Sequence, residues 1–388
     1  MTTTWIHRIE TVLPEFSFSQ EAASAQMQEW AADERTRRII RALYRQSGIE
    51  RRHSVVTNFA VKGDDGFFGP GPDGARHEPG TAARNDIFAR ESRRLSVGLA
   101  RRILDGGPGV GPGDVTHVVT VSCTGFYNPG PDYYIVTELG IPPSAQRYHL
   151  GFMGCYAALP ALRMAAQFCE ANPQAVVLVM CIELCSLHLQ LKGDEDNLLA
   201  NSLFSDGAAA AIVSARAPDP GRAAYRIGDF HSALVTSGEQ DMAWRIGDHG
   251  FDIALSSYVP KIIGANIRAF VEPSLARSGL APGDIATWAV HPGGKAIIDQ
   301  VQGSLGLDPG QVRASRDVLR NYGNMSSATI LFVLRDVLRE GPGEDVDGVC
   351  ALAFGPGLTV EMAVLEAVRA GSAASADRPA GTEAEWLA

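Results

Sequence analysis

Short apolar runs alternate with segments of helical periodicity, and this alternation constrains the fold more than any other feature of the sequence. The runs are rich in β-branched residues and are bounded by glycine, proline or polar residues. They lie at residues 116–122, 175–181, 208–213, 287–290 and 348–354. Apolar runs that are bounded by turns and interleaved with helices indicate buried strands of a sheet. The sequence therefore predicts an α/β protein.

The chain has 388 residues, which is enough for two units with cores of their own or for one large unit. The alternating pattern pauses near Ala217-Pro-Asp-Pro-Gly-Arg. We therefore predict one half over residues 1–217 and a second over 218–368. Residues 369–388 contain too little apolar surface to become ordered, so we predict a mobile tail there.

Charge and cysteine content exclude several classes of protein. The net charge of −10 argues against nucleic acid or an anionic membrane as a partner. No apolar run reaches about 18 residues, so we expect no membrane span, and the first residues lack a secretory pattern, which predicts a cytoplasmic protein. Six cysteines without such a pattern indicate free thiols, and no paired Cys/His set completes a metal site.

Cys155 is the first candidate for chemistry. It follows a short glycine-containing segment and precedes an apolar stretch of helical spacing at residues 157–168. At the start of a helix, unpaired N–H groups and the helix dipole stabilise a thiolate, which is the nucleophilic form of cysteine. The alternative is a buried cysteine that packs as a small hydrophobic residue.

Two further segments contain candidate partners for that cysteine. His291 ends an apolar run and precedes Pro-Gly-Gly, and the carboxyl end of a buried strand is where open α/β sheets place functional groups. Asn324 lies before a helix that Ser326 or Ser327 is expected to cap, which is the purely structural interpretation of this segment. A glycine- and proline-containing loop at residues 353–359 is expected to approach a bound group closely.

Five separated motifs resemble those of the type III polyketide synthases, the chalcone and stilbene synthase superfamily, and of its bacterial members in particular. The resemblance spans residues 5–366 and implies a thiolase fold, in which two related βα halves form five αβαβα layers. The motifs lie, in the order that the family shows, at residues 154–155, 203–210, 291–294, 323–327 and 355–359.

The resemblance implies a catalytic set of Cys155, His291 and Asn324. The Cys155 thiolate would attack an acyl-CoA and hold the acyl group, and His291 would pair with that thiolate. Malonyl-CoA would lose carbon dioxide without a general base, and His291 and Asn324 would donate hydrogen bonds to the enolate. No cofactor is implied beyond the CoA substrates. A thiolase would need a second cysteine as a base, and none stands at the matching place.

The resemblance also marks a substrate pocket. Phe204 matches a gatekeeper, with a core aromatic as its alternative, and the second gatekeeper position falls at Ile253. Trp244 is expected to narrow one branch of the cavity. The other residues expected to line it are Cys123, Cys185, His188, Ser326, Gly355 and Pro356.

Binding of CoA phosphates requires cations. Arg38, Arg41 and Arg45 recur at helical spacing opposite an apolar face, and Lys295 with Ala296 follows the turn after His291. We predict CoA contacts at these residues, and the alternative is a solvated charged face.

These observations predict a homodimeric enzyme that loads an acyl-CoA starter and extends it repeatedly with malonyl-CoA. Cyclisation would then give an alkylpyrone, an alkylresorcinol or a related phenolic product. One alternative is a ketoacyl-ACP synthase III with a single condensation, although its His-Gln-Ala-Asn motif is absent. Another is a catalytically idle thiolase-fold partner. An acyl carrier protein remains a second candidate donor of the starter.

Overall fold

The computed structural model describes residues 2–60, 66–69, 78–105, 109–219, 221–341 and 346–369. The predicted tail at 369–388 lies outside these residues except for Arg369, which ends a strand. The strands in the described residues are β1 (Trp5–Val12), β2 (Phe16–Ser19), β3 (Arg51–Ser54), β4 (His117–Ser122), β5 (Gln146–Gly151), β6 (Val176–Leu184), β7 (Asp206–Ser214), β8 (Ala223–Leu234), β9 (Met242–Gly247), β10 (Gly250–Leu255), β11 (Thr287–Val290), β12 (Val346–Gly355) and β13 (Thr359–Arg369).

The helices in the same residues are α1 (Gln20–Trp30), α2 (Glu34–Gln46), α3 (Thr81–Asp105), α4 (Pro131–Leu139), α5 (Ala158–Ala171), α6 (Glu195–Leu203), α7 (Val259–Arg277), α8 (Lys295–Leu305), α9 (Arg313–Tyr322) and α10 (Thr329–Glu340). All five predicted apolar runs are strands, namely β4, β6, β7, β11 and β12. Every residue of β6 and β7 is buried, because helices cover both faces of the sheet. Among the described helices, none is long and apolar enough to cross a bilayer.

One nine-stranded sheet contains two halves with the same topology. The strand order is β11-β12-β13-β8-β1-β7-β6-β4-β5. In the first half, β7 runs antiparallel between β1 and β6. In the second half, β13 runs antiparallel between β8 and β12 in the same way. A parallel neighbour follows, β4 beside β6 and β11 beside β12. This shared order confirms the two related halves, and the boundary at residues 217 and 218 stays a prediction.

Helices form three layers around the two halves of the sheet. The central layer contains α5 and α10, which pack against strands of both halves. The face of the first half turned away from this layer is covered by α3 and α4, and that of the second half by α7 and α8. A helix between two sheets is buried on all sides, which explains why residues 329–335 of α10 are all buried. The predicted αβαβα arrangement is confirmed, and it brings the segments just before α5 and α10 to one cavity.

Candidate active site

A cavity that opens to solvent lies where the segments just before α5 and α10 meet. It brings together all three predicted catalytic residues and most of the predicted pocket residues. The predicted residues on its wall are Cys155, His291, Asn324, Phe204, Cys123, Cys185, His188, Ile253, Trp244, Ser326 and Pro356. Gly355 is not on the wall, although both of its neighbours in the chain, Phe354 and Pro356, are. The roles of these residues stay predictions, whereas their convergence on one cavity is observed.

Cys155 lies just before α5, which begins at Ala158 rather than at the predicted residue 157. Gly154 has a φ of +92°, and a Cβ there would come within 2.6 Å of Pro356 Cδ. A Cβ on Gly355 would lie 2.4 Å from the ring of Tyr156. The loop at residues 353–359 therefore makes its close approach to the backbone around Cys155, and glycine is what permits that contact.

We expect Gly355→Ala to displace the turn that holds Cys155. An added methyl group in tightly packed surroundings costs about 1–3 kcal/mol, and here the Tyr156 ring or the turn must move. The expected result is a loss of product formation larger than any loss of folded protein, measured by steady-state rate and thermal melting. Gly303→Ala is the matched control, because its added Cβ meets no atom within 4 Å. Full activity of Gly355→Ala would contradict this interpretation of the turn.

The Asn324 amide has a fixed orientation. Its Oδ1 accepts hydrogen bonds from the backbone N–H of Ser326 at 2.9 Å and from Thr329 Oγ1 at 3.4 Å. Its Nδ2 donates to the Gly293 carbonyl at 3.2 Å. Because the oxygen is engaged by donors and an amide nitrogen carries two hydrogens, one N–H remains for a group in the cavity. The backbone is held beside Phe204, since Asn324 N donates to Leu203 O at 3.0 Å.

The predicted serine cap of α10 is wrong. Ser326 has a φ of +46°, which turns its side chain away from the helix and onto the cavity wall, where Oγ lies 3.1 Å from Cys123 Sγ. Ser327 Oγ donates to Glu183. No side chain caps α10. Thr329, its first residue, ties the preceding turn to the helix instead, because its Oγ1 accepts from the backbone N–H of Met325 and donates to Ser326 O, both at 2.8 Å.

His291 is buried and neutral. It follows β11, and its backbone N–H donates to Leu352 O at 2.7 Å. Neither ring nitrogen has a hydrogen-bond partner, and burial lowers the pKa of the imidazole to about 3. A buried imidazole without a partner in the protein is suited to hold a polar atom of a ligand.

No hydrogen bond joins the Cys155 sulfur to the His291 ring in this structure. Burial raises the pKa of the Cys155 thiol to about 11, and hydrogen bonds from Ser326 and Asn324 act in the opposite direction. Cys155 is partly accessible, and it lies on the wall of the cavity. A buried thiolate is stabilised by an opposite charge beside it. Ionisation of Cys155 at neutral pH therefore requires a protonated His291 that hydrogen-bonds with the sulfur.

We expect His291→Ala to raise the pH at which Cys155 becomes reactive. Without the imidazole, burial and the negative charge of Glu183 raise the pKa of the thiol against the hydrogen bonds, so the midpoint of alkylation should move up towards about pH 11. The intact chain should show a lower midpoint, because the imidazolium stabilises the thiolate. The measurement is the rate of iodoacetamide labelling of Cys155 against pH, and equal midpoints would contradict the pairing.

Structure adds residues that sequence reasoning missed. Glu183 is fully buried beside the cavity, where it accepts hydrogen bonds from Cys123 N at 3.1 Å and Thr124 Oγ1 at 2.8 Å. Burial raises the pKa of this carboxyl group. The sequence did contain a signal for Glu183, which is the single acidic residue inside the apolar run at residues 176–184. A buried acid requires hydrogen-bond partners. Arg52 also lies on the cavity wall, and no signal in the sequence identified it.

The predicted CoA contacts lie outside the cavity wall. Arg38, Arg41 and Arg45 are exposed on α2, as the amphipathic pattern predicted, and Arg41 Nε donates to Gln28 Oε1 at 3.1 Å. Lys295 is exposed and pairs with Asp299 at 2.6 Å, and the neighbouring Ala296 is exposed as well. Lys295 packs beside Gly48, just after α2, so the predicted cations border one region of the surface. Their binding of CoA stays a prediction.

Comparison with known proteins identifies the family. The model of the N-terminal domain of chalcone and stilbene synthases matches residues 2–218, and that of the C-terminal domain matches residues 230–369. A relative from Mycobacterium tuberculosis, alpha-pyrone synthesis polyketide synthase-like Pks18, is 33% identical, and the alignment covers 94% of this chain and 91% of the relative. Bisdemethoxycurcumin synthase of Oryza sativa subsp. japonica is 34% identical over 83% of this chain and 81% of its own length.

Solved structures give the same result. PKS-I from the brown alga Ectocarpus siliculosus superposes with a TM-score of 0.87 at 30% identity, covering 95% of this chain and 99% of that one. The 1,3,6,8-tetrahydroxynaphthalene synthase of Streptomyces coelicolor, a bacterial type III polyketide synthase, superposes with a TM-score of 0.80 at 27% identity, covering 95% and 100%. The chain therefore belongs to the chalcone and stilbene synthase family, and it is a type III polyketide synthase with a thiolase fold.

Proposed function

We propose that this enzyme loads an acyl group from acyl-CoA onto Cys155 and extends it with several malonyl units. The cavity where Cys155, His291 and Asn324 meet carries this proposal. Attack of the Cys155 sulfur on the thioester forms a new thioester and releases CoA, while His291 takes the thiol proton. No metal or organic cofactor is needed for this step, because the nucleophile and the proton acceptor are side chains.

Extension begins when malonyl-CoA enters the cavity. Loss of carbon dioxide leaves the electron pair on the α-carbon, and the negative charge spreads onto the thioester oxygen. In this proposal the second N–H of Asn324 and one nitrogen of His291 donate to that oxygen, which stabilises the charge as it develops. The carbanion then attacks the acyl group on Cys155, which releases the thiolate and lengthens the chain by two carbons.

The composition of the cavity wall favours an apolar starter. Phe204, Trp244, Ile253 and Phe354 provide large apolar surfaces, which suit an alkyl chain. Trp244 is held in place because its indole N–H donates to Cys123 O at 2.7 Å. We propose that cyclisation gives an alkylpyrone, an alkylresorcinol or a related phenolic product. The name of the mycobacterial relative refers to α-pyrone synthesis, which supports the first of these.

An exposed sheet edge supports the proposed homodimer. β5 is the last strand of the nine-stranded sheet, and residues 146–149 are exposed. Phe126, Tyr133 and Tyr148 are exposed aromatic residues near this edge. An uncovered edge with aromatic residues is typical of a surface that pairs with another chain, and a second copy is the partner that we propose.

Mass spectrometry of the products tests the proposed function. Purified enzyme would receive malonyl-CoA alone and then with acyl-CoA starters from acetyl to stearoyl. We expect cyclised products from at least two extensions, with a preference for starters that have an alkyl chain. A product of one condensation only, or activity with carrier-protein thioesters and none with CoA thioesters, would contradict the proposal.

A further inference from the structure

Arg52 is a buried cation on the wall of the cavity. It belongs to β3, only 4% of its surface is exposed, and it borders the same cavity as Cys155. Its Nη1 donates to the carbonyl oxygens of Asn201 and Phe204, both at 2.8 Å. Its Nε and Nη2 have no hydrogen-bond partner. One edge of the guanidinium is therefore used by the protein, and the donors of another edge are unused.

The charge of Arg52 has no ion-pair partner among the carboxylates of the described residues. Asp206 is a buried carboxyl group that senses the charge of Arg52 without an ion pair. Burial raises the pKa of Asp206 to about 6, and the positive charge of Arg52 lowers it. The Asp206 oxygens, however, accept hydrogen bonds from Val55 N at 2.8 Å and from Ser186 N at 2.7 Å. A buried cation whose donors are unpaired is unfavourable unless a ligand completes it.

Two aromatic rings flank the guanidinium, and neither of them pairs with Nε or Nη2. The guanidinium carbon lies 5.3 Å from the ring centre of Phe18 and 5.4 Å from that of Tyr44. Such contacts stabilise the charge by about 0.5–2 kcal/mol, but they leave the N–H groups in the guanidinium plane unpaired. The rings also hold the plane in place, so that its unused edge is already oriented for a ligand.

We propose that the unused edge of Arg52 binds the carboxylate of an acyl thioester in the cavity, namely that of the malonyl extender. This inference rests on the proposed function. Nε and Nη2 lie side by side in one plane, and a carboxylate presents two oxygens in a matching arrangement. Of the two proposed substrate classes, the malonyl thioester carries a carboxylate and the alkyl starter does not. Arg52 would therefore distinguish extender from starter.

The position of Arg52 relative to Asn324 fits this role. Gly323, directly before Asn324, packs on the stem of Arg52, and a Cβ there would lie 3.0 Å from Arg52 Cγ. Phe204, whose carbonyl Arg52 binds, is bridged to Asn324. The same short segments thus hold the amide proposed to bind the thioester oxygen and the cation proposed to bind the carboxylate.

A contact with the carboxylate acts before decarboxylation and is lost when carbon dioxide leaves. Arg52 would therefore stabilise bound malonyl-CoA more than it stabilises the transition state. Removal of the contact should raise the KM for malonyl-CoA, whereas kcat should fall less than kcat/KM. A residue that only supports the backbone of Asn201 and Phe204 would instead lower kcat and affect all CoA esters alike.

Binding measurements test the proposal without acyl transfer to the enzyme. In a Cys155→Ala background, which cannot be acylated at residue 155, calorimetry would compare malonyl-CoA with propionyl-CoA, which lacks the carboxylate. Arg52→Met should weaken malonyl-CoA binding about 10- to 100-fold, as expected for hydrogen bonds to a charged group, and change propionyl-CoA binding by less than about threefold. Arg52→Lys keeps the charge but cannot present two parallel N–H groups, so an intermediate loss of malonyl-CoA affinity is expected.

A second comparison does not depend on the folding of an Arg52 variant. With Arg52 intact, malonyl-CoA should bind about 10- to 100-fold more tightly than its terminal carboxamide analogue. Succinyl-CoA and glutaryl-CoA carry a carboxylate on a longer chain, so they test whether the bound carboxylate belongs to the extender or to a starter. Dependence on Arg52 for malonyl-CoA alone assigns the site to the extender, whereas dependence for the longer diacids assigns the same carboxylate site to a starter.

Equal losses for malonyl-CoA and propionyl-CoA in Arg52→Met, or equal binding of malonyl-CoA and its carboxamide, would overturn the carboxylate site. Failure of the proposed function is a separate result, since it appears as an absence of extended products from the unchanged enzyme. If that enzyme makes extended products while the malonyl preference is independent of Arg52, only the present inference fails.

Discussion

Replacement of Cys155 with alanine is expected to abolish product formation, by a factor of at least about 10⁴. The methyl group cannot attack a thioester, and no other cysteine can replace the sulfur at the start of α5. Cys123 and Cys185 also border the cavity, but burial raises the pKa of both thiols well above the ordinary value. The measurement is the rate of product formation from an acyl-CoA starter and malonyl-CoA.

Cys169→Ala is the matched control for this experiment. Cys169 lies in the same helix, and its buried sulfur packs in the core away from the cavity. This variant is expected to retain product formation while showing the loss of stability that removal of a buried sulfur causes. Substantial activity of Cys155→Ala beside a normal Cys169→Ala would contradict the role of Cys155 as nucleophile.

Asn324→Ala is expected to slow decarboxylation of malonyl-CoA about 100- to 1000-fold, which is the effect typical of removing one donor to a developing oxyanion. Loading of Cys155 should change less, because an enolate forms only during extension. Release of carbon dioxide from malonyl-CoA and the rate of acyl-enzyme formation report the two steps separately.

Asn324→Asp provides a sharper version of the same test. An ionised carboxylate has the size of the amide but presents oxygen in place of the N–H that faces the cavity. It would also repel the developing enolate, so decarboxylation should fall at least as far as in Asn324→Ala. Wild-type decarboxylation in either variant, or an equal loss in loading and decarboxylation, would contradict the donor role of Asn324.

Local sequence patterns were sufficient to predict an α/β protein, whereas the thiolase fold was predicted from the resemblance to a known family. The apolar runs at β4, β6, β7, β11 and β12 are strands, because only a strand covered on both faces has so few polar residues. The stretch after Cys155 is a helix, although it begins one residue later than predicted. The catalytic candidates from three of the motifs lie on one cavity, because the segments that follow β5 and β11 and precede α10 meet there. Their roles stay predictions.

Contacts between distant segments explain what the sequence did not reveal. Arg52 reaches the cavity because β3, the end of α6 and Gly323 meet in space, and nothing near residue 52 indicates this. The serine cap was mispredicted because the positive φ of Ser326 turns its side chain towards the cavity. The helical spacing of Arg38, Arg41 and Arg45 correctly predicted an exposed face, but spacing alone does not identify what that face binds.

Mass spectrometry of the acyl-enzyme tests the central claim most directly. The purified protein would be mixed with a long-chain acyl-CoA in the absence of malonyl-CoA, digested, and its cysteine-containing peptides mapped. The account predicts an added mass equal to the acyl group on the peptide that contains Cys155 and on no other. Acylation of another residue, or an unmodified Cys155 peptide from enzyme that forms products, would contradict it.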